Sequence, residues 1–300
     1  MSFINKALEK AKSMQPKKME PQPPTSQIPP QEPFLDLEEM AEFGETAGEI
    51  QYTYTRKVAV NMNFLRRQRL IVNGSDKTLW EAYKLLRTHI LHRTKQEHRN
   101  TLMVTGPLPN EGKSLTAVNL AIAISQKVGQ TVLLVDGDMR NPTVHRYLDL
   151  PSGPGLIDFL ASDYPIADSL VHPEGLANLV VLPAGNPAPQ ATELLSSPRM
   201  LDLVRELKHF YPDRYVLFDL PPLIYADALA FAPLVDGIVV VVEAGRTPRE
   251  EIVHTMDLLK EFPVLGFVLN KIDTAPLSYG YYPKYYGDQD SQKTLTFPWK

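Results

Sequence analysis

The chain has 300 residues, 43% of them hydrophobic, and its 35 acidic residues nearly balance 31 basic ones for a formal net charge of −4. A packed α/β core is affordable at this length, the charge balance gives no case for nucleic acid, and the absence of cysteine excludes disulfides and thiol catalysis. No apolar run approaches the ~20 residues of a membrane-spanning helix and no signal-peptide stretch opens the chain, so it reads as cytoplasmic.

Residues 1–14 place Ile4, Leu8 and Ala11 on one helical face, with Phe3 and Ala7 beside them and Lys6, Lys10 and Lys12 polar. Ser2 is suited to cap this short amphipathic helix, which either docks on a partner or an anionic membrane surface or frays by itself. Residues 15–54 read as a disordered linker: 15–34 are rich in Pro and Gln, and Met19 to Thr55 contains no Lys or Arg. Order is expected from about Thr55, with a small basic cluster at Arg56, Lys57, Arg66, Arg67 and Arg69 that reads as a solvated face. Residues 79–92 have helical periodicity through Leu79, Tyr83, Leu86 and Ile90, and Glu81, Lys84 and Arg87 form a charged edge suited to pairing with a second copy.

From Leu102 onward strands and helices alternate. Strands are predicted at 101–105, 131–135, 179–183, 214–219, 237–243 and 264–269, and helices at 114–128, 198–210, 225–234 and 248–261. Val132 to Val135 and Ile238 to Val242 are apolar at successive positions, as in strands covered on both faces of a mostly parallel sheet. The pattern predicts a three-layer α/β domain over 55–277. Residues 278–300 form a tail in which Tyr279, Tyr281, Tyr282, Tyr285 and Tyr286 crowd among Gly280, Pro283 and Gly287, which argue against regular structure.

The stretch that carries chemistry is Thr101 to Ser114, T-L-M-V-T-G-P-L-P-N-E-G-K-S: a strand, a Gly/Pro loop, and a helix starting at Gly112-Lys113-Ser114. Backbone N–H groups and a helix N-terminus suit phosphate, Lys113 would reach β/γ-phosphates, and the Ser114 hydroxyl would hold Mg²⁺. The match to the phosphate-loop pattern is incomplete, because Pro107 occupies the first glycine position and Gly106 sits one place early. Two further strands end in carboxylates, Asp136 and Asp138 in one and Asp219 in the other, where a doubly wound sheet binds ligands. One such aspartate is a common loop cap; three behind a G-K-S loop point to a site. Asn270, at the end of the last strand in V-L-N-K-I-D, is either a base-recognition group or part of a polar turn.

On Pro109 to Ser114, Asp136 to Pro142 (D-G-D-M-R-N-P) and Asp219 to Pro222 (D-L-P-P), the chain resembles the bacterial tyrosine kinases, the cytoplasmic autokinases of capsule and exopolysaccharide synthesis. The resemblance covers about residues 79–287 and implies a P-loop NTPase fold that uses ATP and Mg²⁺ to phosphorylate the C-terminal tyrosines between subunits, and so regulates polymer synthesis and export. By resemblance, Pro109, Asn110, Glu111, Gly112, Lys113, Ser114 and Leu115 form the nucleotide loop, with Asn270 the candidate for adenine. Ser114, Asp138 and Asp219 are metal-side groups. Asp136 accepts or orients the tyrosine proton, although Asp136 and Asp138 are able to exchange roles. Arg140 either stabilises transferring charge or caps its turn. The family's E-x-x-R-x-x-R ring helix is matched at Glu81 and Arg87, while Lys84 replaces the middle arginine and cannot make a guanidinium's bidentate fork.

The resemblance further implies a homo-oligomer, a membrane-spanning chain-length regulator and a tyrosine phosphatase as partners, and a peripheral place at the inner face of the cell membrane. The head M-S-F-I-N-K-A-L-E-K-A and the segment around Tyr52 to Val58 look like the branch in which kinase and regulator are separate chains. The rival within the fold is the partitioning and division ATPase family, whose second lysine would fall at Leu108. The other alternative is a non-catalytic nucleotide-binding scaffold.

Overall fold

The computed structural model describes residues 55–95, 99–162, 164–210 and 214–272. The expected N-terminal helix, the linker and the tyrosine cluster lie outside the described residues. All six predicted strands form, with two short ones added, in a single eight-stranded sheet of order β1-β4-β5-β3-β6-β2-β7-β8. The strands are β1 Arg56–Val58, β2 Thr101–Thr105, β3 Thr131–Asp136, β4 Val171–Pro173, β5 Leu179–Leu182, β6 Arg214–Asp219, β7 Gly237–Glu243 and β8 Val264–Asn270. Every pairing is parallel except β4 with β5.

Helices cover both faces: α1 Met62–Arg67, α2 Lys77–Lys95, α3 Lys113–Ser125, α4 Val144–Tyr147, α5 Leu156–Ala161, α6 Ile166–Ser169, α7 Ala191–Leu195, α8 Pro198–Phe210, α9 Ala226–Phe231 and α10 Arg249–Leu259. The period-two alternation of a strand divides the apolar runs between two cores. Leu102, Val104, Val132, Leu134, Val239 and Val241 pack with Tyr83 and Ile90 of α2 and with Leu120 and Ile124 of α3. Met103, Leu133, Val135, Ile238 and Val240 pack with Leu203 and Val204 of α8 and Phe231 of α9. The helical stripe of α2 is the predicted one, since Leu79 and Leu86 also pack against the first core.

The sequence missed what is short. β1 and β4 have three residues each and α4 to α7 four to six. No periodicity can establish itself over so few positions. Helix α3 ends at Ser125, earlier than the predicted 128, where Gln126 donates its N–H to Ile122 and the chain turns before β3.

Strand order positions the site. β2, with the phosphate loop at its end, lies beside β6, and β6 lies beside β3. In the β3–β6 register Asp136 is directly paired with Asp219. Two carboxylates 83 positions apart in sequence thereby become neighbours at the C-terminal edge of the sheet.

Candidate active site

The loop between β2 and α3 is clamped from several directions. Gly106 is required where it stands because a Cβ there would run into the Val241 carbonyl of β7. That explains why the glycine falls one place early: it serves close strand contact. Gly112 has φ +90°, a left-handed conformation that favours glycine, and Asn110 adopts φ +65°.

Glu111 is buried within the loop and acts as its internal latch. Its Oε2 accepts the Leu108 N–H at 2.8 Å, and its Oε1 accepts the Thr247 hydroxyl at 2.6 Å. Thr247 in turn accepts the Glu243 N–H at 2.8 Å. Lys271 bridges Glu243, at 3.0 Å, and the Asn110 carbonyl, at 2.6 Å. The phosphate loop is therefore tied to the ends of both β7 and β8. Burial raises the Glu111 carboxyl above its usual range, with the two hydrogen bonds and the Lys113 charge opposing. Glu111→Ala is expected to raise the KM for ATP by about 10-fold while kcat falls less, because the loop loses preorganisation rather than a reacting group. Thr247→Val should move KM in the same direction, and an unchanged KM in both variants would remove the latch from the account.

Lys113 is buried at the start of α3, where its Nζ donates to the Leu108 carbonyl at 2.8 Å. Burial lowers its pKa, while the Glu111, Asp219 and Asp138 charges oppose that shift. Ser114 is half-buried beside it, and Leu115 packs against the first core, so only Leu115's backbone is available to a phosphate. Pro109 is exposed on the loop's outer side.

Three carboxylates face this loop. Asp136 is fully buried, and its Oδ2 accepts the Thr143 and Val144 N–H groups at 3.0 Å each, which leaves Oδ1 without a partner. Desolvation is the main cause pushing its pKa up to about 7, with the Asp138 charge adding to it. Asp219 is also fully buried, and neither of its oxygens makes a well-formed hydrogen bond. Its pKa is raised by burial and then by Asp136, and the Ser114 hydroxyl opposes the rise. Asp138 is half-buried, accepts the Asn141 N–H at 3.0 Å and has its pKa raised by burial against the pull of Lys113.

Three orphaned carboxylate oxygens in a water-poor site suit a hard cation, because an unpaired buried charge is otherwise costly. Among the described residues no group of three acidic, His or Cys side chains forms a ready-made metal cage. Mg²⁺ is commonly held by one or two carboxylates together with substrate phosphates.

Arg140 and Asn270 each make contacts within the chain. Arg140 forks onto buried Asp227, with Nε to Oδ2 at 2.5 Å and Nη2 to Oδ1 at 3.2 Å. It also donates to Thr192 at 3.1 Å and lies 5.5 Å from the centre of the Tyr225 ring. These contacts tie the Asp138 loop to α7 and α9. Asn270 donates its amide N–H to the Glu111 carbonyl at 2.8 Å, leaving Oδ1 for a base. Sequence reasoning missed Asp227, Thr192, Thr247, Glu243 and Lys271. Apart from the Glu243–Thr247 contact four positions apart, their partners are remote in the chain, and no local spacing marks the contacts to the loop.

The charged edge of α2 makes contacts within its own chain. Lys84 meets Glu81 at 3.0 Å and lies over the Trp80 ring at 5.7 Å, while Arg87 donates to the Ala123 carbonyl at 2.9 Å.

The tyrosine-protein kinase YwqD of Bacillus subtilis is 35% identical over 206 residues, which cover 67% of this chain and 85% of YwqD. The chain belongs to the bacterial tyrosine kinases. CapB of Staphylococcus aureus is 32% identical over 223 residues, covering 73% of this chain and 95% of CapB. ExoP of Rhizobium meliloti, a succinoglycan biosynthesis transport protein, is 32% identical over 221 residues that make up 27% of its length. The crystal structure of the chimerical protein CapA2B2 superposes with a TM-score of 0.62 at 28% identity, covering 71% of this chain and 92% of the chimera. No protein-family model matches the chain. As a member of this family the chain is a protein-tyrosine kinase of the capsule and exopolysaccharide class, built on a nucleotide-binding fold. The partitioning-ATPase alternative gives way to that reading.

Proposed function

We propose that this bacterial tyrosine kinase transfers the γ-phosphoryl group of ATP to the tyrosines of its own tail, Tyr279, Tyr281, Tyr282, Tyr285 and Tyr286, on a neighbouring copy. The observation that carries the reading is the convergence of Lys113, Ser114 and the orphaned carboxylate oxygens of Asp136 and Asp219 at one edge of the sheet. Phosphoryl transfer asks chiefly for positioning and charge neutralisation. Lys113 and the backbone N–H groups of residues 110–115 hold the β- and γ-phosphates. Ser114, Asp138 and Asp219 would hold Mg²⁺, which neutralises charge developing on those phosphates.

Asp136 receives or orients the proton of the attacking tyrosine. With a pKa near 7 it is matched to proton transfer at neutral pH, and Oδ1 is unengaged. Loss of that role would appear as a flattened pH–rate profile in Asp136→Asn. The direct test of the function is to incubate purified, dephosphorylated chain with ATP and Mg²⁺ and map phosphotyrosine. Replacing all five tail tyrosines by Phe should remove most of the label. Label persisting mainly elsewhere would defeat the tail assignment, and absence of label from the unaltered chain would defeat autophosphorylation.

The chain is further proposed to act as a homo-oligomer beside a membrane-spanning chain-length regulator, with a tyrosine phosphatase reversing the modification. Support for the regulator comes from ExoP, in which the matching stretch is part of a much longer transport protein. Among the described residues no helix is long and apolar enough to cross a membrane. A separate regulator would therefore hold the kinase at the membrane's inner face, which detergent-free fractionation of cells with and without the regulator can check. In assembly, Glu81, Lys84 and Arg87 would exchange some of their intrachain contacts for contacts with a neighbour. Exposed pairs contribute only ~0–1 kcal/mol each, so assembly would rest on a repeated interface. Light scattering on Glu81→Ala combined with Arg87→Ala should give smaller particles; an unchanged mass would exclude this edge.

A further inference from the structure

One cavity lies on the rim of the sheet but belongs to none of the machinery above. It encloses about 210 Å³. The β3–β5 register pairs Val135 with Leu182, so the chain leaves β5 beside Asp136 and continues as Pro183, which forms part of the cavity wall. The opposite wall begins at α4, whose first N–H group is held by Asp136 Oδ2 at 3.0 Å. The next two residues, His145 and Arg146, line the cavity. The Ala188 N–H donates to the Met139 carbonyl at 3.0 Å, fixing the β5 side of the cavity to the Asp138 loop. The cavity therefore sits one strand beyond the candidate catalytic carboxylates and is built by the segments that hold them.

Its lining has two chemistries. Pro142, Pro151, Pro183 and Pro187 present flat apolar surfaces, whereas Arg146 supplies a cation, His145 an imidazole that burial and the Arg146 charge keep toward the neutral form, and Asn186 an amide. Among the described residues the Arg146 side chain makes no hydrogen bond or ion pair, in contrast to Arg140, which is spent on Asp227. Asp158 does not line the cavity, and its Oδ2 accepts the Gly155 N–H at 2.7 Å. A guanidinium with open donors favours a bidentate oxyanion, and proline walls favour an aromatic ring. A ligand carrying both groups is an aryl phosphate.

We propose that this cavity is a second binding site that takes a phosphorylated tyrosine side chain, with the ring between the prolines and the phosphate on Arg146 and His145. The inference rests on the tyrosine-kinase reading for its physiological ligand. It gives the enzyme a place to retain a modified tail close to, but apart from, the transfer site. Backbone and ring contacts alone would not distinguish tyrosine from phosphotyrosine; Arg146 does.

The test uses the full-length chain, dephosphorylated and held in saturating Mg-ADP so that the nucleotide loop is filled. Fluorescent peptides of sequence S-Y-G-Y-Y-P-K, with and without one phosphotyrosine, are titrated by anisotropy. The phosphorylated peptide should bind at least about 10-fold more tightly, and Arg146→Ala should abolish that preference, as expected for loss of a charge-assisted contact. Arg146→Lys should restore part of it. ADP affinity and single-turnover labelling of the tail should be unchanged in Arg146→Ala, which separates this site from the transfer site. Equal affinity for the two peptides, or an unaltered preference in Arg146→Ala, would overturn the proposal. Competition by inorganic phosphate as effective as that by the phosphopeptide would show a simple anion site and overturn it equally. Because the peptides are synthetic, failure here is distinguishable from failure of autophosphorylation, which the ATP-dependent labelling of the chain reads independently.

Discussion

Lys113→Ala is expected to lower autophosphorylation by at least about 100-fold, the scale of losing one preorganised electrostatic contact to transferring charge. The fold should survive. The Lys113 ammonium is buried against its own preference, and loss of its one hydrogen bond, to the Leu108 carbonyl, leaves the N–H of the same residue still held by Glu111. Truncation removes a desolvated charge and frees one carbonyl at a loop that a bound nucleotide would cover. The measurement is phosphotyrosine formed per minute alongside the thermal midpoint. Asp138→Asn should share the loss of activity through the metal rather than the phosphates, and so should show a raised Mg²⁺ requirement where residual activity can be measured. Wild-type labelling in Lys113→Ala would remove the residue from the mechanism.

The second large effect is expected at Asp219, where activity and stability should move in opposite directions. Asp219→Asn removes a buried carboxyl with unpartnered oxygens that the metal is proposed to need, so labelling should fall by about 100-fold or more. The same change relieves desolvation and repulsion between two carboxylates paired in register, so the metal-free protein should become more stable.

The pH dependence follows from the direction of the shift. Asp136 has a folded pKa of about 7 against 3.8 as its ordinary value, so between those values the native state holds a proton that the unfolded state has lost. Stability without metal should therefore fall as pH rises through that window, and Mg-nucleotide should offset the loss at its upper end. Asp219, raised by burial and then by the Asp136 charge, adds its own share to this decline in wild type, and Asp219→Asn removes that share. The decline should then be shallower and finish at lower pH. Denaturant titrations in EDTA at pH 4.5 and 7.5 read both effects, and the same pH difference in wild type and Asp219→Asn would show that the Asp219 carboxyl is not raised as described.

These effects depend on how much each part of the chain carries its own instructions. Long apolar runs such as Ile238 to Val242 determined the central strands locally: five successive apolar residues fit a strand buried on both faces, and the alternation with amphipathic segments fits a parallel sheet. The G-K-S loop and the aspartates at strand ends were equally legible, because the chemistry of phosphate and metal places those residue types next to one another in sequence. Strands β1 and β4 were not, since three residues contain no period.

Tertiary structure alone decided the rest. It made Asp136 and Asp219 register partners, which no spacing in the sequence records, and buried both, which is the main cause of their raised pKa values. It turned Arg140 onto Asp227, 87 positions away, and used Asn270 to hold Glu111 across 159 positions. It also brought the chain after β5 against α4 to enclose the proline-walled cavity. Local sequence specifies which side chains end each strand. Which of those ends become neighbours is set by the order in which buried strands pair, and that order is fixed by packing over the whole sheet.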